Sequence, residues 1–217
     1  MKKFFKFLVA ILVIIIMAIG GIIYALQPEG GIKEDTTGNR EMTKDDIIQM
    51  GLLQSLNFKK ETGKFEGTIS LNSEQISNIV YTAMKESDPE DILPNDIKII
   101  DNSIVITVPM DIEFIKTQAE VKVIPSVRNG DFIATIDNVK LGKINISGNL
   151  LSKIMNHEKD EIPYEIQDRS IIIPTETIKP IELTKIYIEN NELKFDMQLA
   201  LKDAMQYVYS GFIRPAA

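Results

Sequence analysis

Residues 192–201, ELKFDMQLAL, form the most regular pattern in the chain. Leu193, Phe195, Met197 and Leu199 alternate with charged or polar residues, and Leu201 continues the series. Because successive side chains of a strand point to opposite faces, this alternation predicts a long β-strand with one apolar face. Such a face must be removed from water, so the strand also predicts a second layer of structure that covers it.

Turn signals between alternating runs indicate that the strands are antiparallel. Asn-Gly is the strongest short signal for a hairpin, and Asn and Asp tolerate the left-handed backbone of tight turns. The turn signals are Asn190-Asn191, Asn129-Gly130 and Asp101-Asn102-Ser103. The expected sheet is therefore built from hairpins.

Two shifts of phase in the alternation predict bent, strongly twisted strands. Residues 132–136 alternate in one phase and residues 139–141 in the other, which predicts a β-bulge near Asp137-Asn138. We interpret the change of phase between residues 112–114 and 119–123 as a second slip of the same kind.

Two segments have the spacing of amphipathic helices. The first begins at Asn72, where Gln75 completes a capping box, and a second, shorter one follows Ser147-Gly148. The apolar residues are Ile76, Ile79, Val80, Ala83 and Met84 in the first helix and Leu150, Leu151, Ile154 and Met155 in the second. The expected fold class is α+β, with one domain of long, curved antiparallel β-strands packed on two short amphipathic helices.

The N-terminal segment predicts a membrane anchor. Residues 7–26, FLVAILVIIIMAIGGIIYAL, are 20 residues without a charge, Asn or Gln, and a helix of this length spans the ~30 Å hydrocarbon core of a bilayer. Lys2, Lys3 and Lys6 precede the segment and Glu29 follows it. The positive-inside rule then places the N-terminus in the cytoplasm and the C-terminal domain outside.

A cleaved signal peptide is the competing interpretation of this segment. Signal peptides have apolar regions of ~7–15 residues, and the only acceptable cleavage triplet, Ala18-Ile19-Gly20, lies inside the apolar run. We therefore expect an uncleaved, single-pass protein of the cell membrane. The expected organisation is a cytoplasmic tail (1–6), a transmembrane helix (7–26), a stalk with a short helix (27–65) and an extracytoplasmic α+β domain (66–217).

Composition excludes several classes of function. Cysteine is absent, so disulfides, thiolate nucleophiles and Cys-ligated metals are excluded. Three of the 24 basic residues precede the apolar segment, which leaves 21 basic and 31 acidic residues after residue 6, a net charge of −10. Because affinity for nucleic acid depends on cations that neutralise phosphates, we expect no nucleic-acid partner.

No residue set identifies a reaction. We therefore expect a non-enzymatic protein with no catalytic residue, no metal ligand and no cofactor. His157 is the only histidine, and no HExxH motif surrounds it. Acidic residues cluster at 88–91 and 158–161; a carboxylate pair that hydrolyses envelope polymers is a minor alternative, since such clusters beside proline are typical of solvated loops.

The segment VIPSVRNGDFIATIDNVKLGK (123–143) runs on into INISGNLLSKIM (144–155). With the N-terminal anchor, the early amphipathic helix, a hairpin ending in Leu-Gly-Lys and the short helix that follows, this segment resembles the YpmS family of Gram-positive bacteria. The resemblance covers most of residues 66–200, although this chain has Asn145-Ile146-Ser147 where the family tends to carry a proline. That family is of unknown function, so the resemblance implies no site residue. Its organisation is similar to extracytoplasmic domains of the tubular lipid-binding kind.

The remaining signals are apolar and favour ligand binding at the cell envelope. We expect the protein to bind a lipid-like or other apolar ligand in a groove between the first helix and the strand at 192–201. The predicted lining is Ile76, Ile79, Val80, Met84, Leu193, Phe195 and Met197. A closed, dry core is the alternative interpretation of these residues. The alternative function is a scaffold that binds an envelope protein partner through a strand edge or through residues 207–212.

Overall fold

The structure, a computed structural model, describes residues 17, 20–32, 41, 55–87, 94, 96–112, 115–157 and 165–203, without the side chains of residues 83–87, 154, 156 and 157. Within these residues the protein is mostly antiparallel β-sheet with a few short helices, which confirms the α+β class. The strands form one sheet of four and one of seven strands.

The four-stranded sheet is built around the strand with the regular alternation. Its order is β1 (Asn57–Lys59), β2 (Lys64–Leu71), β11 (Glu192–Ala200) and β10 (Ile181–Glu189). On β11, Leu193, Met197 and Leu199 are buried, whereas the residues between them are only partly buried. The predicted apolar face of this strand is thus confirmed.

The seven-stranded sheet contains the longest strands of the protein. Its strands are β3 (Asp96–Ile100), β4 (Ser103–Ile112), β5 (Ile115–Arg128), β6 (Asp131–Leu141), β7 (Ile144–Ile146), β8 (Glu165–Gln167) and β9 (Ser170–Ile173). The order is β3-β4-β5-β6-β9-β8, and β7 pairs with the end of β6 beyond β9. With 14 residues, β5 is the longest strand among the described residues.

The three predicted turns are tight hairpin turns. Each contains two consecutive residues with positive φ, the geometry of type I′ turns, whose twist matches that of the strands they join. The φ values are 46° and 58° for Asp101 and Asn102, 56° and 89° for Asn129 and Gly130, and 55° and 59° for Asn190 and Asn191.

The predicted bulge in β6 is confirmed. Val121 of β5 lies opposite Val139, and Val123 lies opposite Ile136, so two residues on β5 match three on β6. Asp137 is the extra residue. It keeps Ile136 and Val139 on the same face of the sheet despite their odd spacing.

The second predicted slip is wrong. The antiparallel ladder between β4 and β5 ends at the pair Ile112 and Ile115, so the chain reverses between two strands there. A tight reversal changes the phase of the alternation as a bulge does, and the sequence pattern alone did not separate the two.

Both predicted amphipathic helices are present. Helix α1 (Ser73–Ser87) begins with the predicted capping box, in which the Asn72 amide donates to Gln75 Oε1 and the Gln75 amide donates to Asn72 Oδ1, each at 2.9 Å. Helix α2 (Gly148–His157) follows β7, and a single turn, α3 (Thr175–Ile178), precedes β10.

The main core lies where α1 and the four-stranded sheet meet the seven-stranded sheet. Its buried members are Leu71, Ile76, Ile97, Ile99, Ile104, Ile186 and Leu193. They come from α1 and from strands of both sheets, so this cluster holds the two sheets together.

The sheet begins before the predicted domain boundary. β1 and the first residues of β2 lie within residues 27–65, which the sequence analysis assigned to a stalk. Gly63, at φ 66°, allows the turn between them, and the rings of Phe58 and Phe65 lie 5.3 Å apart across the hairpin. The charged residues of the turn are also typical of the end of a helix. The sequence pattern therefore did not predict this hairpin.

At the N-terminus, residues 20–26 are helical. No helix among the described residues is long and apolar enough to cross a membrane. Residues 7–16, 18 and 19 of the predicted span, residues 33–40 and 42–54 of the predicted stalk, and the tail from residue 204 lie outside the described residues. The predictions for these segments stay predictions.

Truncating the central strand at its buried face should destabilise the protein. We predict that Leu193→Ala lowers the free energy of unfolding by about 2–5 kcal/mol, because Leu193 is 4% exposed and a cavity would remain. Urea unfolding of the full chain in detergent measures this. Leu201→Ala is the control: this residue is 41% exposed, and its loss should change stability by less than about 0.5 kcal/mol. Equal losses in the two variants would contradict the assignment of Leu193 to the core.

Candidate functional site

One face of the seven-stranded sheet is apolar across its whole width. The ladder places Ile104 opposite Val123 and Val123 opposite Ile136, and residues directly opposite each other share a face. From β3 to β8 this face carries Ile99, Ile104, Val123, Ile136, Ile171 and Ile166. The other face of β5 carries mainly polar residues, among them Lys116, Glu120 and Lys122.

Two apolar clusters cover separate parts of this face. The main core covers the β3 side with α1 and the four-stranded sheet. On the other side, Leu151 and Met155 of α2 pack with Ile166, and Ile136 and Ile171 lie against them. Ile106 of β4 and Val127 of β5 also pack against the main core, and Val139 of β6 packs against the second cluster. Among the described residues, the middle of the face that remains, on β4, β5 and the end of β6, belongs to neither cluster.

We call this middle region the apolar strip. Its residues are Val108, Met110, Ala119, Val121, Val123 and Leu141, and each is half-buried. Met110 lies opposite Thr117, so the strip extends along β5 from the level of Thr117 to Val123, roughly 20 Å at ~3.3 Å per residue. That length exceeds the ~15 Å half-thickness of a bilayer's hydrocarbon core. The strip is therefore long enough to lie along one lipid chain.

The end of the N-terminal helix is attached to one end of the strip. The backbone carbonyl oxygen of Leu26 accepts a hydrogen bond from the Thr117 hydroxyl, and that of Ala25 accepts one from the Lys143 amide at 2.8 Å. The last carbonyls of a helix have no partner within the helix. Leu26 and Thr117 are buried at this contact, so the domain itself terminates the helix.

Gly142 allows the end of the N-terminal helix to approach the sheet closely. Its φ is 58°, and a Cβ on this residue would lie 2.2 Å from the Leu26 carbonyl oxygen. Both its backbone conformation and the approach of the helix therefore require glycine here.

A cation–π contact lies beside this attachment. Lys143 Nζ is 3.4 Å from the centroid of the Tyr24 ring. Exposed contacts of this kind contribute about 0.5–1 kcal/mol. Tyr24 is 65% exposed, so this contact is at the surface.

The structure brings most of the predicted lining residues together in the main core. Ile76 and Leu193 are buried members of it, and Ile79, Val80 and Phe195 pack against it. Two predicted residues are not placed in this cluster. Met197 is buried outside it, and the side chain of Met84 lies outside the described residues.

An open hollow of about 510 Å³ lies between two hairpin turns. Its lining is Ile99, Asp101, Asn102, Ile188, Glu189, Asn190 and Asn191. Four of these are the positive-φ residues of the turns, and their type is explained by turn geometry. We therefore assign the hollow no ligand.

The described residues contain no group of three or more His, Asp or Glu side chains placed to hold a metal ion. The acidic clusters at 88–91 and 158–161 lie outside the described residues, and so does the side chain of His157.

Comparisons with protein-family models, with curated proteins and with solved structures found no match to this chain. The strip therefore has to be interpreted from its own physical properties.

Sequence reasoning found the strands that carry the strip but missed the strip. The alternation at Val121 and Val123 predicts an apolar face. Which part of that face stays uncovered depends on where α1, α2 and the other sheet dock, and no local pattern encodes this.

Substituting Gly142 should detach the helix end. We predict that Gly142→Ala lowers stability by about 1–3 kcal/mol through backbone strain and the clash with Leu26, and accelerates hydrogen exchange of the Lys143 amide. Mass-spectrometric hydrogen exchange on the full chain measures the second effect.

Gly63→Ala is a matched control for this variant. Gly63 has a φ of 66° but no atom within 4 Å of a built Cβ. The Gly63→Ala variant should lose stability through backbone strain alone, and hydrogen exchange of the Lys143 amide should stay unchanged. Equal exchange at Lys143 in both variants would show that Gly142 does not hold the helix.

The surface ion pair at the β10–β11 hairpin should make a pH-dependent contribution to stability. Lys194 Nζ donates a 2.6 Å hydrogen bond to Glu189, and this bond and the lysine charge lower the pKa of Glu189 from 4.5. Because the folded-state pKa is lowered, the stabilisation is present above 4.5 and lost as the pH falls through the lowered value. Glu189→Gln should therefore reduce the melting temperature slightly at neutral pH and not at acid pH. A pH-independent difference, or the same effect in Glu192→Gln, would contradict this.

Proposed function

We propose that this protein is a membrane-anchored envelope protein whose extracytoplasmic domain binds a lipid-like ligand along the apolar strip, without catalysing a reaction. In this proposal residues 7–26 form an uncleaved transmembrane helix with its N-terminus in the cytoplasm. The domain then stands on the outer surface of the cell membrane, as in the Gram-positive family that residues 123–155 resemble.

The half-buried state of the strip carries the proposal. Each strip residue keeps part of its surface accessible to water, and contiguous apolar surface that water reaches marks sites of interaction. Burial of apolar surface contributes about 25 cal/mol per Å². A chain laid along Val108, Val121 and Val123 would gain this contribution at each contact.

The chemistry of the strip favours a chain-like ligand over a polar one. Its side chains are aliphatic or thioether groups, and methionine, here Met110, adapts to irregular apolar ligands. The hydroxyl next to the strip on the same face of β5, that of Thr117, already donates to Leu26. Specific polar recognition of a headgroup is therefore not built into the strip.

The position of the strip suggests where the ligand comes from. Thr117 lies on the same face as the strip and contacts Leu26, the last residue of the predicted membrane span. A lipid leaving the outer leaflet beside the helix would meet the strip directly. A bulge such as the one at Asp137 bends its strand. Bent, long strands fit the resemblance to tubular lipid-binding domains, although fold alone does not establish function.

Photo-cross-linking tests the proposal. The full chain is reconstituted in vesicles that contain a phospholipid with a diazirine on its acyl chain, and the cross-linked peptides are identified by mass spectrometry. We predict cross-links to β4 and β5, and a severalfold loss of them in Val123→Asn, because a polar amide in the strip would lose its hydrogen bonds with water when a lipid chain covers it.

Ile124→Asn is the control, since it makes a similar change at the adjacent residue on the opposite face, where Ile124 is 41% exposed. It should retain the cross-links. Cross-links confined to residues before 27, or equal in the two variants, would refute lipid binding by the strip and favour the scaffold that binds an envelope protein partner.

A further inference from the structure

The segment after the bulge has a charge unlike the rest of the chain. Residues 138–157 contain three lysines, at 140, 143 and 153, and no Asp or Glu, in a protein with net charge −7. An anionic membrane surface attracts such a segment and repels the remainder of the domain.

The same segment exposes two large aliphatic side chains. Ile144, at the β6–β7 turn, is 40% exposed, and Leu150, at the start of α2, is 47% exposed. Leu151 and Met155 are buried and hold α2 on the sheet. Leu150 is therefore not needed for the packing of α2 on the sheet, and it stays exposed.

Attachment to the N-terminal helix fixes the height of this segment above the bilayer. The Lys143 amide bonds to the Ala25 carbonyl oxygen at 2.8 Å, and its Nζ lies over the Tyr24 ring. If residues 7–26 span the membrane, Tyr24 and Ala25 lie in the interfacial layer. Lys143 and its neighbour Ile144 then lie there too.

We propose that residues 138–157 form a second membrane contact, in which Lys143 and Lys153 bind anionic phospholipid headgroups and Ile144 and Leu150 enter the interface. This inference rests on the proposed membrane anchor. Lysines with long aliphatic stems suit this layer, since the stem lies among acyl chains while the ammonium reaches the headgroups.

The contact would determine how the domain stands on the bilayer. One helix allows the domain to tilt, whereas a helix and a second contact define an orientation. Because Gly142 bonds to the Gln118 carbonyl next to Thr117, the contact keeps the Thr117 end of the apolar strip close to the outer leaflet.

A single-site reporter tests this contact, because the chain contains no cysteine. Ile144→Cys in the full chain is labelled with a fluorophore and reconstituted in vesicles of phosphatidylcholine and phosphatidylglycerol that carry a headgroup nitroxide quencher. Ile100→Cys is the matched control: it is 44% exposed and lies beyond the opposite end of β4. We expect strong quenching at 144 and little at 100.

Charge dependence is tested on the same reporter. The variant combines Lys143→Gln with Lys153→Gln, which keeps the backbone hydrogen bond of residue 143. Each substitution should lower the equilibrium constant for contact between the segment and the membrane by about fivefold. The proposal would be overturned if quenching at residue 144 were no greater than at residue 100. It would also be overturned if quenching at residue 144 stayed the same in the double variant and in vesicles of pure phosphatidylcholine.

Parallel cross-linking in these vesicles separates this inference from the proposed function. Acyl-chain cross-links to β4 and β5 without quenching at 144 would reject the second contact alone. Quenching at 144 without those cross-links would reject the lipid-binding strip alone.

Discussion

The apolar face of the seven-stranded sheet is the constraint on which the rest of the structure depends. It extends from β3 to β8, and each part of it must find a cover or remain partly exposed to water. The four-stranded sheet with α1 covers one side, and α2 covers the other. The strip is half-buried and, among the described residues, belongs to neither cluster. This is why a ligand is proposed for it.

The second determinant is the junction between helix and sheet. A flexible stalk would leave the orientation of the domain undefined, but the carbonyl oxygens of Ala25 and Leu26 are bonded to Lys143 and Thr117. The conformation of Gly142 permits this contact. Any role of the strip at a membrane depends on this attachment, because it brings one end of the strip next to the end of the predicted anchor.

Local sequence patterns predicted the elements well, and long-range packing accounts for what they missed. Asn129-Gly130 and the extra residue Asp137 act through neighbouring backbone geometry, so the hairpin and the bulge were predictable. The reversal between Ile112 and Ile115 gives the same phase change as a bulge, and only the ladder distinguishes them. The apolar character of Ile76 and Leu193 favours a ligand lining and a dry core equally. Their place in the main core, and the position of the strip beside it, depend on which layers dock where.

Tryptophan fluorescence gives the most direct test of the strip, because the chain has no native tryptophan. Val123→Trp and Ile124→Trp place a single reporter on the two faces of β5, and the full chains are reconstituted with phospholipids brominated on their acyl chains. The account predicts strong quenching by brominated lipid at residue 123 and access to aqueous acrylamide at residue 124. Quenching of residue 123 by acrylamide and not by brominated lipid would contradict it.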